Sequence, residues 1–149
     1  MPRRTSPGCR APKVLGSVRR VNPAMEGKTY DPVRFELSPA RVGAFHDLFG
    51  GPAGVPPTVL TAAEFSAFPQ ILGDPELGLN FRRVVHGTQE YEFVRPLRMG
   101  ETLTVEARIA SIRHKGGNGF LVVEMDMRDA DGQVAAVARS TMIERGDSS

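Results

Sequence analysis

Glu64 and His86 carry side chains of the types that transfer protons. A carboxylate and an imidazole placed on either side of a reacting group can act as base and acid. Glu64 lies one turn after Leu60 in an apolar stretch, VLTAAEFSAFPQIL, so it serves chemistry only if it faces inward; the ordinary alternative is a solvated helix carboxylate. His86 opens a long extended segment and precedes Gly87, which leaves room for a ligand or a crossing segment. It could move a proton or donate to a carbonyl, or it could be a structural hydrogen-bonding residue at a strand end. Gln89, further along the same segment, could hold an amide. His46 is rotated away from the Phe45, Leu48 and Phe49 set, and His114 sits beside Lys115 at a turn, so both are expected to be exposed. The three histidines show no Cys/His/carboxylate spacing of a metal site, and there is no Walker loop, GxGxxG or GxSxG motif.

The elements that must position these groups are legible from periodicity. Tyr30, Val33, Phe35 and Leu37 mostly alternate, which predicts a short strand, and Pro32 places it at an edge. Ser38-Pro39 is an N-cap followed by a first-turn proline, with Val42, Phe45, Leu48 and Phe49 at helical spacing until Gly50 and Gly51. The loop GGPAGVPP follows. A second helix is expected over residues 62–72, capped by Thr58 or Thr61, with Phe65, Phe68, Ile71 and Leu72 on one apolar face. Small Ala62, Ala63 and Ala67 let it lie close to a sheet, while Pro69 predicts a kink or early end.

From Val84 onward the pattern turns to strands. Val84, Tyr91 and Phe93 alternate with polar residues, Pro96 stops that ladder, and Gly100 permits a turn. Leu103, Val105, Ala107 and Ile109 alternate, and Ile112 falls out of phase, predicting a bulge near Ala110 and Ser111. KGGNG and Asp129-Ala130-Asp131-Gly132 are hairpin turns around the next two strands. One long helix followed by four strands, the last three joined by hairpins, predicts an α+β domain with an antiparallel sheet wrapped around the helix.

At 149 residues, 40% hydrophobic and 24% charged, the chain suits a single domain. The formal charge of +2 is carried by Arg3, Arg4, Arg10, Lys13, Arg19 and Arg20; from Met25 onward 13 basic residues face 17 acidic ones, which argues against a nucleic-acid partner. Residues 1–24 are expected to be a disordered basic leader, or to precede a true start at Met25, and residues 25–149 to fold. A transit peptide is a further option, although four prolines break any amphipathic helix there. Cys9 is the only cysteine, which excludes an intrachain disulfide and fits the cytoplasm. No run reaches membrane-spanning length, so no membrane partner is expected.

Three segments carry a family resemblance: PPTVLTAAEFSAFPQIL, FRRVVHGTQEYEFVRPLRMGETLTVEARI and DADGQVAAVARSTMIER. Together they resemble the N-terminal-half family of MaoC-like dehydratases, over nearly all of residues 25–145. The resemblance implies a single hotdog domain and a thioester substrate, a trans-2-enoyl or (R)-3-hydroxyacyl chain on coenzyme A or acyl carrier protein, with no other cofactor. Active relatives use an Asp and a His in a pattern like Gly-Asp-x-Asn-Pro-x-His. Here that stretch reads FGGPAGVPP, with Gly51 where the aspartate would stand and no histidine between His46 and His86.

The resemblance therefore implies a non-catalytic subunit that binds the acyl thioester while a hotdog partner supplies Asp and His. A homodimer or heterodimer is expected because a lone sheet leaves an open edge. The implied acyl and thioester-binding set is Pro57, Leu60, Phe65, Phe68, His86, Gly87 and Gln89. Arg82, Arg83 and Arg95, with Arg98 nearby, are candidates for the carrier's phosphates or acidic groups. The alternatives are a self-sufficient thioesterase or dehydratase using Glu64 and His86, and a non-enzymatic acyl-CoA-binding module. The phenylalanine stripe could equally be plain core.

Overall fold

The computed structural model describes residues 20–146. Its elements run β1 (Val33–Glu36), α1 (Pro39–Phe49), α2 (Val59–Leu72), β2 (Val84–Phe93), β3 (Thr102–Lys115), β4 (Asn118–Arg128) and β5 (Val134–Glu144), with short 3-10 turns at Pro23–Met25 and Phe81–Arg83. The five strands form one sheet in the order β1-β3-β4-β5-β2, antiparallel at every pairing. This is the α+β arrangement expected, with β1 at one edge as Pro32 required and β2 at the other.

Local chemistry sets most boundaries. The Ser38 hydroxyl accepts from the Arg41 N–H at 3.3 Å, Pro39 opens α1, and Gly50 ends it at φ 67°. Gly116 and Gly117, at φ 57° and 79°, close the two-residue β3–β4 hairpin. The expected bulge lies between Ile109 and Ser111. Helix α2 begins at Val59, three residues earlier than expected, and runs through Pro69 to Leu72 rather than ending at the proline. Pro69 removes the N–H that would bond the Phe65 carbonyl, and the helix nevertheless continues for one more turn to Leu72.

Two expectations about burial fail. In α1 only Val42 is buried, while Leu48 and Phe49 are 77% and 74% exposed, because α1 packs extensively on no other element. In α2, Phe65 is 60% exposed; the buried stripe is instead Leu60, Ala63, Glu64, Ala67, Phe68 and Ile71. That stripe meets Leu103, Val105, Ile109, Leu121, Met125 and Ala138 from the sheet. Leu60 and Ile71, fully buried, each contribute about 1.5–3 kcal/mol.

The folded unit also begins before Met25. Val21 is fully buried, and its N–H donates at 2.7 Å to Glu144, which also accepts from the Asn80 N–H at 2.7 Å. The boundary drawn at Met25 therefore moves back to include residues 20–24. The rest of the expected leader, Cys9 included, lies outside the described residues.

Candidate functional site

Glu64 is 1% exposed, so the solvated reading of this carboxylate is wrong. It points from α2 onto the inner face of β2 and β5, where Ala63 and Ala67 let the helix approach closely. Tyr91 donates to its Oε2 at 2.5 Å, and Gln89 Nε2 donates to its Oε1 at 3.0 Å. Ser140 Oγ stands 2.9 Å from Oε1 and 2.6 Å from Gln89 Oε1, so its single proton serves one of them at a time. The Tyr91 proton is committed to Glu64, so Thr61 donates to the phenol oxygen across 2.8 Å. Burial, and then the hydrogen bond to Glu64, pushes the Tyr91 hydroxyl well above the usual tyrosine range.

A second bulge, not read from the sequence, makes this cluster possible. The β2–β5 register shifts between His86 and Thr88, so Val84↔Glu144 and His86↔Met142 lie on the same face as Gln89↔Ser140 and Tyr91↔Ala138. Without the shift, residues 86 and 89 would face opposite sides. Gly87 is the pivot: a Cβ there would sit 3.1 Å from both Ile143 Cδ1 and the Thr141 carbonyl. The atoms nearest that position thus belong to the chain's own β5.

Glu64 and His86 do not pair. His86 is exposed, and its side chain has no hydrogen-bond partner among the described residues. It lines an apolar groove with Phe65, Phe68, Leu72, Phe81 and Met142. A second groove, between α1 and α2, is walled by Phe45, Phe49, Thr58, Thr61, Ala62 and Phe65. Phe65 belongs to both, and its ring lies edge-on to Phe68 at 5.5 Å. Among the described residues Thr61 links groove to cluster: it lines the second groove, and its hydroxyl meets Tyr91, which in turn donates to Glu64.

The remaining candidates separate. Pro57 is exposed at the entry to α2, and Leu60 is core and lines neither groove. Of the phosphate candidates, Arg95 is held by Glu101 at 2.7 Å and Asp129 at 3.1 Å. Arg82 is exposed beside Phe81 and Asn80; the Arg83 carbonyl accepts from the Arg145 N–H at 2.9 Å; Arg98 is exposed, its own N–H donating to Glu101 at 2.7 Å. His46, expected to be exposed, is half-buried: its Nε2 donates to the Gly54 carbonyl at 2.8 Å and pins the Gly/Pro loop. His114 is exposed, as expected. Ser140 and Thr61 were missed as partners. Ser140 interrupts the inward stripe of Ala136, Ala138 and Met142, and Thr61 lies one turn before Glu64; these were the available signals. Among the described residues no group of three His, Cys, Asp or Glu could hold a metal ion.

Comparison with known proteins gives a consistent picture. The model for the FAS1-like dehydratase domain region matches residues 16–138. A UPF0336 protein of Leifsonia xyli subsp. xyli is 30% identical over 150 residues, covering 85% of this chain and 97% of its own. One from Streptomyces avermitilis is 31% identical, covering 80% and 91%. A solved MaoC-like dehydratase superposes with a TM-score of 0.70 at 15% identity, over 83% of this chain and 43% of its own; this chain thus spans less than half of that protein. The C-terminally truncated HadBC (3R-hydroxyacyl-ACP dehydratase) complex from Mycobacterium tuberculosis gives 0.65 at 18% identity, over 80% and 96%.

Proposed function

The chain belongs to the FAS1-like dehydratase domain region family and to the UPF0336 family, and folds as a single hotdog domain; from that premise we propose that it is an acyl-thioester-binding subunit of an (R)-specific enoyl hydratase or 3-hydroxyacyl dehydratase. One observation carries the reading. The apolar grooves meet at Phe65, while the carboxylate behind Thr61, Glu64, is already engaged by Tyr91, Gln89 and Ser140, and His86 does not reach it. The chain can bind an acyl chain; a hotdog partner supplies the Asp/His pair that activates water. The structural likeness to a 3R-hydroxyacyl-ACP dehydratase complex supports a paired assembly. The open edge strand β2 offers the place for it. The carrier is coenzyme A or acyl carrier protein, the setting is the cytoplasm, and no further cofactor is needed. No helix among the described residues is long and apolar enough to cross a membrane.

A second reading has its own observation: the Thr61–Tyr91–Glu64 relay opens onto a groove, as a self-sufficient thioesterase or dehydratase would require. One set of assays separates the two. Crotonyl-CoA and longer enoyl-CoAs are followed for hydration, and saturated acyl-CoAs for hydrolysis, with the purified chain alone and with a hotdog subunit that carries the Asp/His loop. The leading reading expects turnover only in the mixture. Turnover by this chain alone, lost in Glu64→Gln, would replace it with the second; tight binding without turnover in either state would leave a non-enzymatic acyl-CoA-binding module.

A further inference from the structure

The outer face of the sheet divides sharply by charge. Over most of its length its arginines are neutralised: Glu124 holds both Arg108 and Arg139, and Glu106 and Asp126 hold Arg128. The end at the β3–β4 hairpin differs. There Arg113, His114 and Lys115 follow one another, all exposed, and none has an ion-pair partner among the described residues. Register sets the β5 end beside it: His114 pairs with Gly119, and Gly119 with Glu144. The carboxylate of Glu144 is turned inward onto Val21 and Asn80.

Beside these cations lies a groove floored by Phe120, Val122 and Thr141 and rimmed by Arg113, His114 and Lys115, with no carboxylate among the described residues that line it. Val85 extends the apolar strip: it pairs with Ile143, which pairs with Phe120. This surface lies across the sheet from Glu64 and both phenylalanine grooves.

The geometry points to this hairpin groove as a docking surface for an acidic amphipathic segment of a partner protein, its apolar side on Phe120 and Val122 and its carboxylates on Arg113 and Lys115. Charge complementarity selects the occupant. Residues 20–146 hold 14 basic and 16 acidic residues, so Arg113 and Lys115, without an ion-pair partner among the described residues, form a local basic patch on a mildly acidic body. The apolar floor rewards side chains rather than a phosphate backbone. The surface is independent of the thioester reading.

The test uses a fluorescein-labelled peptide of Glu and Leu at helical spacing, its Gln-for-Glu counterpart, and a single-stranded oligonucleotide. Binding is read by anisotropy and by backbone amide shifts. The acidic peptide is expected to bind, to weaken as salt rises, and to shift amides of residues 113–122 and Thr141. Arg113→Glu with Lys115→Glu should weaken it about tenfold, and Arg113→Gln with Lys115→Gln by less. Arg34→Glu, on the exposed far edge, should leave it unchanged. No binding by the acidic peptide, equal binding of the Gln peptide, shifts confined to other surfaces, equal loss in Arg34→Glu, or tighter binding of the oligonucleotide would each overturn the assignment.

Discussion

Taking a carboxylate out of water costs several kcal/mol unless donors replace the lost hydration. At Glu64 the donors are Tyr91, Gln89 and Ser140, and the cost is met by a cluster that also locks β2 and β5 against α2. The same logic governs both tyrosines. Burial and then Asp74 push the Tyr30 hydroxyl up, as burial and then Glu64 do for Tyr91. A tyrosine raised in the folded state contributes stability that is complete below the unfolded value, about 10, and is lost as pH rises through the higher native value. Absorbance near 295 nm should therefore show almost no tyrosinate in the native protein at pH 10.5, while both tyrosines titrate near 10 in guanidinium. A normal native titration would mean that the phenols are not held as described.

The decisive feature at the scale of elements is the bulge in β2. Period-2 alternation puts residues 86 and 89 on opposite faces, and the extra residue at Gly87 brings both to the interior side. A side chain at position 87 has to displace Ile143 or the Thr141 carbonyl. Gly87→Val should cost about 1–3 kcal/mol by crowding, measured by urea unfolding. It should also detach Gln89 from Ser140, visible as loss of slow exchange at their amides. An unchanged midpoint would show that the bulge is not clamped by β5. The bulge at Ala110 was legible because Ile112 breaks an otherwise regular apolar stripe. That in β2 was not, because the strand is too polar for a phase change to show.

The domain as a whole is closed by a contact between its ends. Val21 packs in the core while its N–H satisfies Glu144, 123 residues away. A chain starting at Met25 leaves Glu144 without one of its two backbone donors and opens the Val21 site. Against a chain starting at Arg20, it should lose about 2–4 kcal/mol in chemical denaturation. Equal stability of the two would show that the N-terminal segment adds nothing to the fold.

The amino-acid sequence alone determined what is written in neighbouring residues: the Ser38-Pro39 start and Gly50 stop of α1, both glycine hairpins, the edge placement that Pro32 demands, and the dehydratase resemblance. Those features depend on backbone preferences acting over a few positions. The tertiary structure decided the rest. Gln89 and Ser140 reach Glu64 from 25 and 76 residues away, and only the folded register brings them there. The same register left Phe65 in the grooves, tied Arg95 to Glu101 and Asp129, and kept His86 from the carboxylate it would have joined under the self-sufficient alternative. A side chain's chemistry depends on its burial and partners, and long-range pairing sets both.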